Sequence, residues 1–230
     1  MINQFRKRWQ NVFGGNARDA RPAISFVLIV YDMPEQARNT VLSLLPDYQS
    51  GVSLEDYEVI IVENESSNPM SPEFIASLPN GFHYVLRKET EPTPIHAINH
   101  GIEQARGDNV CVMIDGARVL SPGIIRYMLL AHQIAASAVV TVPGYHLGHE
   151  LQQEAVKSGY GVERERELMA SIGWPADGYR LFGILKRNFG KLSSQFASFR
   201  EVTCFHDQRK IVDGEPFEPA TAGFTVNVQC

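Results

Sequence analysis

Ala23-Ile24-Ser25-Phe26-Val27-Leu28-Ile29-Val30, followed at once by Tyr31-Asp32-Met33-Pro34-Glu35, decides the fold. The first eight residues form a continuous apolar run, broken only by one serine. This is the pattern of a strand buried on both faces, because a half-exposed strand would alternate polar and apolar residues. Asp32 and Glu35 then fit a capping box, with Pro34 tolerated in the first helical turn. Val41, Leu44 and Leu45 give the predicted helix its apolar stripe.

The same unit repeats along the chain. Tyr57 to Val62 reads as a second buried strand, after a polar loop holding Gly51 and Ser53. Ser71-Pro72-Glu73 opens a short helix by cap-then-proline logic. Phe82 to Leu86 reads as strand three. Thr93-Pro94 opens another helix, lined by Ile95, Ile98, Ile102 and Ala105 at helical spacing. Asn109 to Ile114 is strand four. Ser121-Pro122 is expected to cap a helix with Ile124, Ile125, Met128, Leu129 and Ile134 inward, and Ala138 to Val142 is strand five. Alternation at this spacing predicts an α/β fold, a mostly parallel Rossmann-like sheet flanked by helices. In such sheets ligands bind at the carboxyl ends of the strands. Asp32, Glu63-Asn64 and Asp115 stand at three of those ends. Beyond Gly144 the pattern loosens: residues 150–172 read as helical and charged, and Trp174 to Gly178 as a loop.

Composition narrows the functions. The 230 residues carry 21 basic and 26 acidic side chains, a net charge of −5, which argues against nucleic acid as a partner. Cys111, Cys204 and Cys230 form no CxxC pair, so neither a disulfide framework nor a zinc cluster is expected. Cys111 reads as a core residue. No stretch reaches the roughly 18 apolar residues of a membrane span, and the polar N-terminus does not read as a secretory leader. A cytoplasmic location is the expectation. Phe5, Trp9 and Phe13, spaced i, i+4, i+8 beside Arg6, Lys7 and Arg8, suit peripheral contact with an anionic membrane face or docking on the protein's own body. There is no GxGxxG after the first strand, no Walker loop, no GxSxG elbow and no HExxH.

Four segments together resemble the family-2 glycosyltransferases. Ser25 to Glu35 is similar to the family's opening strand and acidic helix start. Tyr57-Glu58-Val59-Ile60-Ile61-Val62-Glu63-Asn64-Glu65-Ser66-Ser67 is similar to its second strand, which usually ends in two acids, a glycine and a serine. Ala97-Ile98-Asn99-His100-Gly101-Ile102 with Ala105-Arg106-Gly107-Asp108 resembles its Asn-x-Gly-Ile helix. Val112-Met113-Ile114-Asp115 with Ser121-Pro122-Gly123 lies where the family places Asp-x-Asp and a following proline. The likeness covers roughly residues 23–135.

The resemblance implies a GT-A-like fold that binds a nucleotide-diphosphate sugar and transfers the sugar, with inversion, to a saccharide, lipid or other hydroxyl acceptor. By position, Val30, Tyr31 and Asp32 would hold the nucleoside, and Glu63 or Asn64 would accept from the base or approach the ribose. Arg87 and Asn99 would flank the pyrophosphate, and Asp115 would face the ribose or a Mn²⁺ or Mg²⁺ ion. Two positions depart from the family. Ala117 replaces the second acid of Asp-x-Asp, the usual direct metal ligand, and Arg118 beside it is either a fixed positive charge for the diphosphate or a solvated loop residue. Gln229 falls where a carboxylate base is expected, leaving Asp213 and Glu215 as candidate bases.

His146 and His149 follow strand five and are candidate partners of Asp115 in a cation site; loop histidines bonded to backbone are the plainer reading. His206 is similar. His96 and His100, at i, i+4, read as surface or pocket-rim residues rather than ligands, since no third ligand is near in sequence. The expected organisation is a basic, aromatic segment at 1–22, a nucleotide-sugar-binding half at 23–143 and an acceptor-side region at 144–230. Ala117 and Gln229 also fit a sugar-nucleotide-binding protein of the same fold that has lost catalysis. A nucleotidyltransferase is the third reading, against which stands the lack of a glycine-rich basic loop after strand one.

Overall fold

β1 runs from Ile24 to Val30 with all seven residues buried. Its side chains divide by the period-two rule of a strand. Ile24, Phe26, Leu28 and Val30 enter one apolar cluster, and Val27 and Ile29 enter a second on the opposite face. The computed structural model describes residues 21–89, 93–114, 116–134, 139–143, 145–148, 152–185, 200–206 and 225–227.

Six further strands follow: β2 (Tyr57–Asn64), β3 (Phe82–Arg87), β4 (Asn109–Met113), β5 (Val139–Pro143), β6 (Arg200–His206) and β7 (Thr225–Asn227). They form one sheet in the order β3-β2-β1-β4-β6-β5-β7. β1 pairs in parallel with β2, Ile24 opposite Tyr57, and with β4, Ile24 opposite Asn109. β3 joins β2 in parallel. The chain thus lays strands outward from β1 on one side, then returns to place β4 on the other. That reversal opens a crevice at the carboxyl ends of β1 and β4.

Helices cover both faces, as the alternation predicts. α1 (Pro34–Leu44) and α4 (Ile124–Ile134) pack Ala37, Val41, Leu44, Ile124, Ile125 and Met128 on the larger cluster. Short α2 (Pro72–Ala76) adds Phe74 and Ile75 at its margin. α3 (Ile95–Gln104) covers the other face with Ala97, Ile98 and Ile102. Cys111 is in the core, fully buried. α5 (Gln152–Lys157), α6 (Val162–Ser171) and a short 3-10 helix (Gly178–Gly183) follow. Leu168, Ile172, Leu181 and Ile184 build a small satellite core there, with Val119, Leu147, Tyr160 and Trp174 against it.

Local chemistry moves three boundaries. The capping box expected from Asp32 and Glu35 does not form: Met33 is the N-cap, with no side-chain cap, because Asp32 turns its carboxylate to another loop. α4 begins at Ile124, after Ser121-Pro122, since Gly123 takes φ +94° and gives its N–H to Gln49 Oε1 at 3.0 Å. The helical stretch at 150–172 is two helices, parted at Gly159 with φ +86°. The C-terminal region also supplies β6, which runs antiparallel between β4 and β5.

Candidate functional site

The loops that follow β1 and β2 are bonded to each other before any ligand is considered. Asp32, just past β1, has φ +47° and receives three hydrogen bonds on Oδ1: from Ser67 N at 2.6 Å, Ser67 Oγ at 2.9 Å and Asn68 N at 3.1 Å. Its own N–H donates to Ser66 Oγ at 2.9 Å. The Asn68 amide, then the Ser67 hydroxyl, lower the Asp32 pKa against a small opposing effect of burial. An aspartate tolerates this left-handed conformation; Glu65, also at φ +47°, is a costlier occupant. The loops after β1 and β2 are thereby one polar unit.

Glu63 and Asn64 end β2 and point to opposite faces. Glu63 is fully buried; its Oε2 accepts from Tyr84 Oη at 2.6 Å and Met70 N at 3.1 Å, while Oε1 has no hydrogen-bond partner. Burial, then the neighbouring Glu63 carboxylate, pushes the Tyr84 phenol pKa up, so Tyr84 remains a donor. Asn64 Oδ1 is buried and unpartnered, as is Asn99 Oδ1 on α3. Buried acceptors normally find donors, so these three unpartnered oxygens depart from the rule. Arg87, opposite Asn64 in register, donates from Nη1 to His96 O at 2.5 Å and lies 3.7 Å from Glu89. Its guanidinium therefore ties β3 to the first turn of α3.

Val30 is enclosed in the core, so only its backbone borders the crevice. Tyr31 is 59% exposed and Ile114, after β4, is 55% exposed. Both leave apolar surface at the switch point, where a planar ring could lie. Asp115, His149, Asp213 and Glu215 lie outside the described residues, as do the 1–22 segment up to residue 20 and Gln229.

The turn after β4 is held by α1 and the residues just beyond it, contacts that periodicity does not mark. Thr40 Oγ1 donates to Gly116 O at 2.5 Å and accepts from Arg118 N at 2.8 Å. Ser43 Oγ accepts from Leu120 N at 3.0 Å, and Gln49 Nε2 donates to Ser121 O at 3.3 Å. Tyr48 Oη donates to Leu120 O at 2.8 Å and accepts from Trp174 Nε1 at 3.3 Å. The signal was present: Thr40 and Ser43 lie among Ala37, Val41 and Leu44 on the buried face of α1, where a hydroxyl must find partners. Arg118 is partly buried and donates from Nη1 to Ala117 O at 3.3 Å.

The His146 ring is tilted against Tyr160 with centroids 4.5 Å apart, burial lowers its pKa, and its Nε2 has no hydrogen-bond partner. It borders the satellite core beside Leu147. Among the described residues no three His, Cys, Asp or Glu side chains gather as a metal site. With Ala117 in place of the second acid, the donor set near Arg118 offers a divalent ion one carboxylate, Asp115, and is a poor fit for a resident metal. Among the described residues no helix is long and apolar enough to cross a membrane.

The sequence model for glycosyl transferase family 2 matches residues 25–190. No curated protein sequence matches the chain significantly. Among solved structures the chain is similar to Staphylococcus aureus TarS 1–349 in complex with UDP-GlcNAc, at 16% identity and TM-score 0.45, over 60% of this chain and 36% of that one. It is similar to the mannosyltransferase PcManGT from Pyrobaculum calidifontis in complex with GDP-Man and Mn²⁺, at 14% identity and TM-score 0.46, over 89% and 52%. A third is a 4-diphosphocytidyl-2C-methyl-D-erythritol synthase from Anaerococcus prevotii, at 12% identity and TM-score 0.38, over 68% and 85%. The chain spans between 21% and 37% of the TarS structures it matches.

Proposed function

Since the chain belongs to glycosyl transferase family 2, with a match that takes in β1 to β5, we propose that it transfers a sugar from a nucleotide-diphosphate donor to a hydroxyl acceptor. The observation that carries this is a pair of buried, unpartnered acceptors, Asn64 Oδ1 at the end of β2 and Asn99 Oδ1 on α3, with exposed Tyr31 just past β1. A nucleoside needs a flat wall and a few directed acceptors, and these strand ends offer both.

In this reading Tyr31 and the backbone at Val30 carry the nucleoside, with Asp32 holding their loop against Ser66–Asn68. Asn64 or Glu63 takes base or ribose donors. Arg87 and Asn99 border the pyrophosphate, which Arg118 compensates with fixed charge. Asp115 faces the ribose; an ion carried in by the donor would have this one carboxylate to meet it and would offset charge on the phosphates. The acceptor oxygen attacks the anomeric carbon as the bond from that carbon to the phosphate oxygen breaks. The nucleoside diphosphate leaves, the centre inverts, and a carboxylate, Asp213 or Glu215, takes the acceptor's proton.

Ala117 and Gln229 favour a second reading, donor binding without transfer. Thermal shift with UDP-, GDP- and dTDP-sugars, each with and without Mn²⁺, tests donor binding; a chromatographic assay for released nucleoside diphosphate with simple saccharide and lipid acceptors tests transfer. A stabilising shift followed by release supports the transferase. A shift with no release under any acceptor supports the binding protein, and no shift with any donor defeats both.

A further inference from the structure

Thr40 is fully buried in α1, yet its hydroxyl is spent outside its own helix. A helical threonine ordinarily returns its hydroxyl to a carbonyl one turn back. Here that oxygen donates to Gly116 O at 2.5 Å and accepts from Arg118 N at 2.8 Å, gripping the backbone on both sides of Ala117. Gly116 is pressed onto the same helix: a Cβ there would lie 3.1 Å from Met33 Sδ and 3.4 Å from Ala37 Cβ. The clamps from Ser43 and Gln49 act farther along, at Leu120 to Gly123. Thr40 thus holds the backbone on either side of Ala117, the turn that carries Arg118.

We propose that Thr40 is a positioning residue for the phosphate-facing turn, fixing the backbone from which Arg118 meets the donor's diphosphate where Ala117 provides no acid. This rests on the donor-binding reading above. A clamp with only a structural role would weaken every ligand alike when removed. A positioning role weakens the diphosphate and spares the nucleoside, which is held by β1 and β2.

The test uses the full chain and calorimetric titration with UDP, GDP and dTDP and with the parent nucleosides. Thr40→Val keeps the shape and removes the hydroxyl; about tenfold weaker binding of the preferred diphosphate is expected, with nucleoside affinity unchanged. Thr40→Ser restores the diphosphate affinity. Ser43→Ala, which unclamps Leu120 instead, lowers the melting temperature yet keeps the ratio of diphosphate to nucleoside affinity. Arg118→Ala, on a partly exposed side chain, reproduces the selective loss, and adding Thr40→Val to it gives no further loss. Equal loss of both ligands in Thr40→Val, or unchanged diphosphate affinity in Arg118→Ala, overturns the proposal. A wild-type chain that binds none of the three diphosphates refutes the donor reading itself, a distinct result.

Discussion

Glu65 shows how much a single residue can reveal about this cleft. It stands at φ +47° where the family resemblance leads one to expect glycine, and its N–H is committed to Arg87 O at 2.9 Å. Relief of that conformation outweighs the extra chain entropy of glycine, so Glu65→Gly should stabilise the protein by up to about 1 kcal/mol. The melting temperature reads this directly. Glu58 gives the opposite case, near the start of β2, the strand that Glu65 follows. It is buried and accepts from Ser25 Oγ at 2.6 Å and from Arg106 N, Nε and Nη2 at 2.8, 2.9 and 2.6 Å. Burial raises its pKa, but the bonds from Ser25 and Arg106 prevail and lower it below the ordinary 4.5. A lowered pKa means that this stabilisation is complete above about pH 4.5 and fades as pH falls through the folded value. Glu58→Gln should therefore cost about 1–3 kcal/mol at neutral pH and flatten the loss of stability on acidification, as urea melts across pH would record. Asp32 and Glu63-Asn64 were legible as polar strand ends because position alone marks them. That Asp32 holds a loop instead of capping a helix was not, since its partners lie some 35 residues on.

At the scale of elements, α3 and β1 meet at a contact with no spare room. A Cβ on Gly101 would run into Val27 Cγ1 and lie 3.3 Å from Val62 Cγ2. Alanine usually improves a helix, yet here overpacking against the sheet wins, and Gly101→Ala should destabilise by about 1–3 kcal/mol in urea titration. β1, β2, β4, α1, α3 and α4 could be read from periodicity because each buries an apolar stripe, although Ile134, expected inward on α4, is exposed; α2 buries no residue and is marked only by Ser71-Pro72. The starts of α1 and α4 could not, because Met33 and Gly123 answer to bonds made elsewhere. The clamp of Thr40, Ser43 and Gln49 escaped notice for the same reason: it joins two elements more than 70 residues apart.

For the molecule as a whole, stability is uneven. β1 lies between two parallel neighbours with both faces covered, whereas Leu168, Ile172, Leu181 and Ile184 form a thin satellite core. Hydrogen exchange should find the amides of Phe26 to Ile29 the slowest and those around Leu181 exchanging through local opening well before global unfolding. The parallel half was visible in the sequence; the antiparallel insertion of β6 was not, because a strand's direction in a sheet leaves no mark on its own residues. The central place of β1 also sets a timetable. One of its edges is filled by β2, but the other waits for a strand that begins at Asn109. At ribosomal speeds of about 5–20 residues per second, the most apolar strand of a nascent chain spends on the order of ten seconds with that edge bare. Newly made copies crowded on one message are then most prone to pair with each other, so slower elongation before residue 109 should lower the soluble yield.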